Sequence, residues 1–165
     1  MNVTKAKSST LAKAIAIGAF MALTACGGEA EPVDAAPSGV IEGIVIENAR
    51  MVLAPVAGNP AAIYFDFSYE GDRAFSLGRV AVEGTGSALM HQYGEYDFKV
   101  QMMEALPIPV KSGTELEFKP GDLHVMAFEP SEDLAPGATA EVTLTVSGGD
   151  QHKFNAEIRA AGDER

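Results

Sequence analysis

The chain has 165 residues and a formal net charge of −11, a size that suits one compact domain behind a short leader. Residues 1–26 hold three of the twelve basic residues and none of the 23 acidic ones, so the remaining residues carry 9 basic and 23 acidic side chains, a balance of −14. A surface this acidic repels the phosphates of nucleic acids and of anionic lipids, which argues against nucleic acid as a partner.

The first 26 residues predict a lipoprotein signal peptide. Three lysines accompany a twelve-residue apolar run at 14–25, which is too short for a bilayer span of about 20 apolar residues. The run ends in LTAC, which resembles the bacterial lipobox with Cys26 as the acylated residue. The alternative is a cysteine that stands by chance beside an ordinary cleavage site.

The position of Cys26 favours the lipoprotein interpretation, because it is the only cysteine and stands where lipid attachment requires one. A single cysteine also leaves no internal disulfide framework. Two or more acyl chains anchor a protein stably to a membrane. We therefore expect a periplasmic protein with a lipid anchor, and Gly27 after the cysteine favours the outer membrane by resemblance to known lipoproteins.

Residues 27–39, GGEAEPVDAAPSG, predict a flexible linker between the anchor and the folded domain. The segment is small, acidic and proline-containing, with nothing to bury. A flexible chain of this length has an r.m.s. reach of about 20 Å. We expect the folded β-domain at 40–165.

From residue 40 onward, strand patterns alternate with turns such as EGTGS, VKSG, KPGD, APG and SGGD, and no stretch predicts an amphipathic helix of three turns. Eight or so short strands at regular spacing are typical of a β-sandwich or a Greek-key barrel, so we expect an all-β fold. His152 opens the last strand with no Met or Cys nearby, so we expect a structural or exposed role for it. GVIEGIVIENARMVLAP alternates in part, and the predicted strands that follow it are AAIYFDFSYE, FSLGRVAVE, ALMHQY, YDFKVQMM, TELEF, LHVMAF, ATAEVTLTV and HKFNAEIRA.

The segment between His91 and Met126 concentrates the soft metal donors of the domain. It holds two of the three histidines and three of the five methionines that lie outside the leader. Imidazole nitrogen and thioether sulfur suit Cu(I) better than Mg, Ca or Mn. In LHVMAF, His124 and Met126 share one strand face, while Val125 and Ala127 point toward a core. For any one of these residues alone, the alternative is ordinary core packing.

The joint spacing of four of these residues resembles that of a known family. His91 is followed by ten residues and Met102, then by twenty-one residues and His124-x-Met126. This pattern is similar to the His-x10-Met-x21-His-x-Met motif of the periplasmic PCuAC-type copper chaperones, and the resemblance covers about residues 50–146. It implies a cupredoxin-like Greek-key β-sandwich or barrel that binds one Cu(I) through His91, Met102, His124 and Met126.

The resemblance further implies an extracytoplasmic metallochaperone that is not an enzyme. Such a protein would deliver copper for the assembly of the copper centres of cytochrome c oxidase, with an apo oxidase subunit or an assembly factor as the acceptor. A blue-copper electron carrier needs a cysteine thiolate inside the fold, and the only cysteine here precedes the linker. Neutral nitrogen and sulfur donors suit a Cu(I) ion that must later leave by ligand exchange.

Two other functions stay open at this point. One is a periplasmic copper-sequestering or tolerance protein, which binds copper and keeps it. The other is a lipid-anchored β-sandwich that mediates adhesion or assembly, in which the His and Met side chains only pack. Copper binding separates the last from the other two, and copper transfer to an apo acceptor separates a chaperone from a sequestering protein.

The adjacent methionines give conflicting signals. In YDFKVQMM, alternation places Met102 with Phe98 and Val100 on the apolar side, which predicts a core position for Met102 and an exposed one for Met103. The spacing to the two histidines instead selects Met102 as the ligand. The two signals agree if the site lies at the mouth of the barrel, where the inward face meets solvent. We therefore expect Met102 to be the ligand at such a mouth.

Overall fold

The computed structural model describes residues 39–163, which form ten β-strands and, within that range, no helix. The predicted signal peptide, Cys26 and residues 27–38 of the predicted linker lie outside the described residues. No helix long and apolar enough to cross a membrane is found between residues 39 and 163. The strands are β1 (Ile44–Val52), β2 (Ala61–Tyr69), β3 (Phe75–Val82), β4 (Ser87–Tyr96), β5 (Lys99–Glu104), β6 (Ile108–Val110), β7 (Thr114–Phe118), β8 (His124–Phe128), β9 (Thr139–Val146) and β10 (Gln151–Arg159).

The strands form where apolar residues recur at every second position. In β9 the residues Ala140, Val142 and Leu144 are buried, and the polar residues between them are partly exposed. Aromatic rings join the buried faces of different strands, since Phe65 of β2 stacks on Phe118 of β7 with ring centroids 4.0 Å apart. The all-β prediction is confirmed, with ten strands where about eight were expected.

The strands belong to one sheet with the order β5-β4-β8-β2-β1-β10-β9-β3-β6, and β7 pairs with β2 beside this path. β1 and β10 pair in parallel, and the other strand pairs of the described residues are antiparallel. β2 is shared, because residues 61–63 pair with β8 and residues 65–69 pair with β7. Several neighbours are far apart in sequence, as in Greek-key folds. This topology brings β5, β4 and β8 together at one end of the sheet.

The β4–β5 hairpin differs from the strand predicted for YDFKVQMM. Asp97 and Phe98 form a two-residue turn with φ angles of 51° and 58°, and β5 begins only at Lys99. Both angles lie in the left-handed region that hairpin turns of type I′ require and that Asn or Gly usually occupies. Because a bulky residue rarely adopts a positive φ, nothing in the local sequence signals this turn. The strand prediction is wrong at these two residues.

His152 of β10 is buried, which is the structural alternative of the two expected for it. Its Nδ1 accepts a hydrogen bond from the backbone N–H of Ile41 at 3.1 Å, and the N–H of the adjacent Lys153 donates to the Gly39 carbonyl at 2.6 Å. Burial lowers the pKa of His152, because the charged ring loses solvation. Only an unprotonated Nδ1 can accept the N–H of Ile41, so a neutral histidine holds the start of the domain against β10.

We expect acidification to lower the free energy of unfolding through His152. Its pKa in the folded chain lies below the ordinary value of 6.5, so the unfolded chain binds the proton more readily. The stabilisation is complete above a pH of about 6.5 and is lost as the pH falls through the folded value. Urea unfolding of the wild type and of His152→Gln at pH values of about 7.5 and 5.5 measures this loss, which should be smaller in the variant. An equal loss in both proteins would contradict the role of His152.

Candidate metal centre

Three neighbouring strands, β5, β4 and β8, carry all four predicted donors on one face. His91 pairs directly with His124 across β4 and β8, and Tyr93 pairs with Met102 across β4 and β5. Directly paired residues, and residues two apart on one strand, lie on the same face of a sheet. The strand register therefore gathers the side chains of His91, Met102, His124 and Met126.

β8 divides its side chains between this face and the core. Val125 and Ala127 are 0% exposed, whereas His124 alternates with them on the opposite face. His124 is nevertheless buried, because side chains of the neighbouring strands cover it. The ring centroid of Tyr93 lies 6.0 Å from that of His124, and the ring centroid of Tyr64 lies 6.5 Å from it.

Two contacts fix the ring of His124. Its Nδ1 lies 2.6 Å from the backbone carbonyl oxygen of Asp122. Because a carbonyl oxygen only accepts, Nδ1–H donates this bond and the neutral ring keeps its lone pair on Nε2. That Nε2 lies 3.2 Å from the sulfur of Met102. Two electron-pair donors therefore face each other, and a cation bound by both would relieve their repulsion.

His91 adds a second imidazole beside the first. The ring centroids of His91 and His124 are 6.1 Å apart with an interplanar angle of 28°, and Phe128 meets the His91 ring edge-on at 6.2 Å. The Nδ1 atom of His91 is buried and has no hydrogen-bond partner among residues 39–163. An unpaired buried nitrogen costs free energy until something binds it, so this atom is available to a metal ion.

Met126 joins the group through its register. It lies two residues after His124, opposite Leu89 of β4 and Ala62 of β2, and it is half-buried. These pairings place it on the shared face, next to the histidine pair along β8. Its role as a ligand stays a prediction, as do the roles of the other three donors.

The structure separates the two adjacent methionines and corrects the expectation about their faces. Met102 is 44% exposed on the face of His124, and Val100, two residues earlier, is 73% exposed. Met103 takes the other face, where it packs so closely over Gly94 that a Cβ there would lie 2.8 Å from its Cε. The prediction that the apolar side of β5 faces a core is wrong, because β5 is an edge strand and most of it is exposed.

The expected position at an inward-facing mouth of the barrel is also wrong. The donors lie on the face opposite Val125 and Ala127, which belong to the core. The site is thus built on the outer face of the sheet. It gains its partial burial from side chains of adjacent strands rather than from the hydrophobic core.

Three groups around the His124 ring escaped the sequence analysis. They are the Tyr93 and Tyr64 rings and the carbonyl of Asp122. Tyr93 could have been found, because it stands two residues after His91 and therefore shares its face. The other two could not be found, since their approach depends on the pairing of β2 with β8 and on the backbone of the turn before β8.

The charge beside the donors is negative. Glu104 pairs with His91 across β4 and β5, and Glu95, which pairs with Val100, carries a second carboxylate on the same face. Lys99 lies on the opposite face of β5, away from the donors. Carboxylates near a site raise the local concentration of cations. No group of three or more His, Cys, Asp or Glu side chains in the described part of the chain is arranged to hold a metal ion.

Comparison with known proteins gives a family and a fold. The model of the LpqE-like family matches residues 44–158. An uncharacterised protein of Rickettsia prowazekii (strain Madrid E) is 21% identical over 99 residues, which are 59% of this chain and 55% of that protein. The chain therefore spans about half the length of that curated relative.

Solved structures of PCuAC domains share the fold. The apo PCuAC domain from PmoF1 has a TM-score of 0.60 at 22% identity, covering 73% of this chain and 96% of that domain. The copper-bound PCuAC domain from PmoF2 has a TM-score of 0.59 at 20% identity, with the same coverage. DR1885 with Cu(I), from Deinococcus radiodurans, has a TM-score of 0.57 at 20% identity, covering 76% of this chain and 84% of that protein. The predicted resemblance to the PCuAC fold is confirmed.

We expect the neutral ring of His124 to carry its proton on Nδ1 rather than on Nε2, because the carbonyl of Asp122 accepts a hydrogen bond from Nδ1–H. Long-range proton–nitrogen correlation spectra of the labelled protein report which ring nitrogen carries the proton. His152 provides an internal control with the opposite tautomer, since its Nδ1 accepts the N–H of Ile41. A His124 protonated at Nε2 would contradict the assignment.

Proposed function

The chain belongs to the LpqE-like family, and from this membership and the geometry of the site we propose that it is an extracytoplasmic Cu(I)-binding metallochaperone. One observation carries the proposal. His124 Nε2 and the Met102 sulfur lie 3.2 Å apart, and the bond from Nδ1 to the Asp122 carbonyl leaves a lone pair on the nitrogen that faces the sulfur. Two neutral donors held this close suit a soft monovalent cation.

The complete donor set supports copper in its reduced form. His91 and His124 would supply two imidazole nitrogens, and Met102 and Met126 would supply two thioether sulfurs. These are the ligand types that select Cu(I) over hard cations. Binding would also satisfy the buried Nδ1 of His91, which has no partner within residues 39–163.

The names of the structural neighbours point to the same ion. The PmoF2 domain was solved with copper bound, and DR1885 was solved with Cu(I). This chain shares their fold and carries the His-x10-Met-x21-His-x-Met spacing on one face of β5, β4 and β8. The likeness supports copper as the cargo of this chain.

The exposure of the donors suits transfer rather than permanent storage. Met102 is 44% exposed, so one ligand is within reach of an incoming protein while His124 stays buried. A partner can then replace Met102 first and take the ion by stepwise ligand exchange. Thioethers do not form disulfides, which makes them suitable donors outside the cytoplasm. We therefore assign a carrier role and no enzymatic reaction.

The resemblance to PCuAC proteins implies the destination of the copper. We propose delivery to the copper centres of cytochrome c oxidase, with an apo subunit or an assembly factor as the acceptor. Incubation of the copper-loaded chain with an apo copper-binding fragment of an oxidase subunit tests this step. Copper that stays on the chain would favour a sequestering or tolerance function. Failure to bind copper at all would favour the metal-free interaction module.

We place the protein in the periplasm, anchored to a membrane through an acylated Cys26. The LpqE-like family is described as one of lipoproteins, and LTAC follows a short apolar run in this chain. The outer membrane is the proposed destination, because Gly27 follows the cysteine. A tethered domain on a linker of residues 27–39 would meet acceptors near the same membrane.

We expect Met102→Leu to weaken Cu(I) binding by about tenfold or more, which corresponds to about 1.4 kcal/mol per factor of ten. The substitution nearly conserves volume, so the free energy of unfolding should fall by less than about 1.5 kcal/mol. Anaerobic titration of the full chain with Cu(I) against a chromophoric chelator measures the affinity. The wild type should bind one Cu(I).

Met103→Leu is the matched control, because Met103 faces away from His124 and packs over Gly94. Its Cu(I) affinity should stay close to that of the wild type. If the two variants exchanged these outcomes, Met103 would be the ligand and the motif alignment would be off by one residue. A wild-type stoichiometry of zero would overturn the proposed function itself.

We expect Cys26→Ala to abolish labelling by a palmitate analogue and to release any processed protein into the soluble periplasmic fraction. The reason is that the acylated cysteine would be the only covalent anchor. Membrane fractionation and labelling of wild type and variant in the native host provide the measurement. A wild type that is fully soluble without detergent would contradict the anchor.

A further inference from the structure

Three strands of the sheet, β5, β6 and β7, pair on one side only within residues 39–163. Edge strands invite pairing with other chains, and proteins usually protect them by shortness, proline or charge. β6 has three residues and contains Pro109, and β7 has five residues with Glu115 and Glu117 exposed. β5 has six residues and no proline, its charged residues Lys99 and Glu104 stand only at its two ends, and apolar side chains are exposed between them at Val100 and Met102. It is the least protected of the three edges.

The unpaired backbone groups of β5 belong to the residues that face the metal centre. A two-residue turn makes its flanking pair, Tyr96 and Lys99, a hydrogen-bonded pair, and such pairs alternate along an antiparallel ladder. The N–H of Ala105 donates to the Met90 carbonyl at 2.8 Å, which fits this alternation. The N–H and C=O groups of the intervening residues therefore point away from β4, toward the free edge. Those residues are Val100, Met102 and Glu104.

Apolar side chains surround the exposed part of the centre. Val100 is 73% exposed, Met102 and Tyr93 are 44% exposed, and Leu89 is 39% exposed. The strand register puts all four on the face that carries His91. Clusters of exposed apolar side chains on a soluble domain mark sites of interaction.

The tip of the hairpin extends this apolar surface. Phe98 is 95% exposed and has a φ angle of 58°, so a bulky residue holds a strained conformation without burying its ring. In the domain alone this arrangement contributes nothing to the core. Contact with another molecule would bury the Phe98 ring, and this burial would offset the free energy of the strained backbone.

We propose that the free edge of β5 pairs with an extended segment of the copper acceptor, which adds to the sheet as a further strand beside Met102. This inference rests on the proposed function and specifies the kind of acceptor segment that would bind to the chain. The segment carries apolar side chains at alternate positions, which cover the Val100 and Tyr93 side, and basic residues that complement Glu95 and Glu104. A soft donor on this strand would then lie next to Met102 and could take its place on Cu(I).

Charge selects such a partner over a second copy of this chain. The site face of the hairpin carries Glu95 and Glu104, and Asp97 lies in the turn. The chain beyond residue 26 carries 23 acidic and 9 basic residues. The hairpin thus carries three carboxylates against the single cation Lys99, so the approach of two hairpins is opposed by their net negative charge, whereas a basic segment would be attracted.

The test uses the full chain in detergent and a synthetic peptide of alternating threonine and valine with a central methionine and a lysine at each end. The peptide should protect the amides of Met102 and Glu104 from hydrogen exchange, because their N–H groups gain a partner. The same peptide with glutamate at each end should have an affinity that is lower by about tenfold or more. No protection of these amides, or equal binding of the two peptides, would overturn the proposal.

Val100→Pro and Val100→Thr form the matched pair of variants. Proline removes the outward N–H of Val100 and spares the ladder to β4, whereas threonine keeps the N–H and the strand propensity. Val100→Pro should lose peptide binding by about tenfold or more, and Val100→Thr should keep most of it. Equal binding by both variants would contradict strand pairing. Should Val100→Pro fail to fold, Glu104→Lys gives a second measure, since it should abolish the preference for the basic peptide.

Cu(I) affinity measured on the same samples separates the two proposals. A wild type that pairs with the peptide but binds no copper would overturn the metallochaperone function and leave the edge pairing intact. Variants that keep full copper affinity while losing the peptide support both. Protection of the β5 amides that appears without peptide and grows with protein concentration would identify a second copy as the occupant and overturn the acceptor segment.

Discussion

The candidate metal centre depends on the alternation of β8 between core and outer face. Val125 and Ala127 are fully buried, and they lock the register of β8 against β2 and β4. A slip of one residue would turn these two side chains out to solvent and turn His124 into the core. That exchange would expose apolar surface and move the imidazole from the outer face, where the Asp122 carbonyl accepts its Nδ1–H, into an apolar core. The hydrophobic core therefore holds His124 opposite His91. His124 and Met126 are thus positioned by packing on the other side of β8.

Met102 reaches the site by a different route, through the hairpin of β4 and β5. Most of β5 is exposed, so little side-chain packing holds this strand. The position of the Met102 sulfur is set instead by the turn at Asp97 and Phe98 and by the pairing of Met102 with Tyr93. The structure therefore combines a buried histidine with an exposed thioether within 3.2 Å of each other. Burial preserves the orientation of the imidazole, and exposure leaves a thioether that another protein could reach. The proposed carrier role needs both properties, since a carrier must select an ion and then give it up.

The all-β architecture and the shared face of His124 and Met126 could be predicted from the sequence, because both follow from a period of two. The inclusion of His91 and Met102 was implied only by the resemblance to the PCuAC motif. The alternation in LHVMAF correctly assigned Val125 and Ala127 to the core. The same rule failed on β5, where Val100 and Met102 occupy alternate positions but the face they share meets no core. Alternation in the sequence shows which residues share a face, and only the order of strands in the sheet shows whether that face is covered. The carbonyl of Asp122 was equally out of reach, since a backbone group leaves no mark in the sequence.

The acidity of the chain bears on how the exposed outer face of the sheet can interact with other molecules. An apolar surface around Met102 and Phe98, beside an unpaired strand edge, would ordinarily favour association of identical chains. Negative charge on each copy opposes that association at long range, while short-range apolar contact still rewards a partner of the opposite charge. The same carboxylates attract cations toward the donors. The excess of carboxylates, which at first only argued against nucleic acid, is thus consistent with both the proposed partner and the proposed metal centre on one face of the sheet.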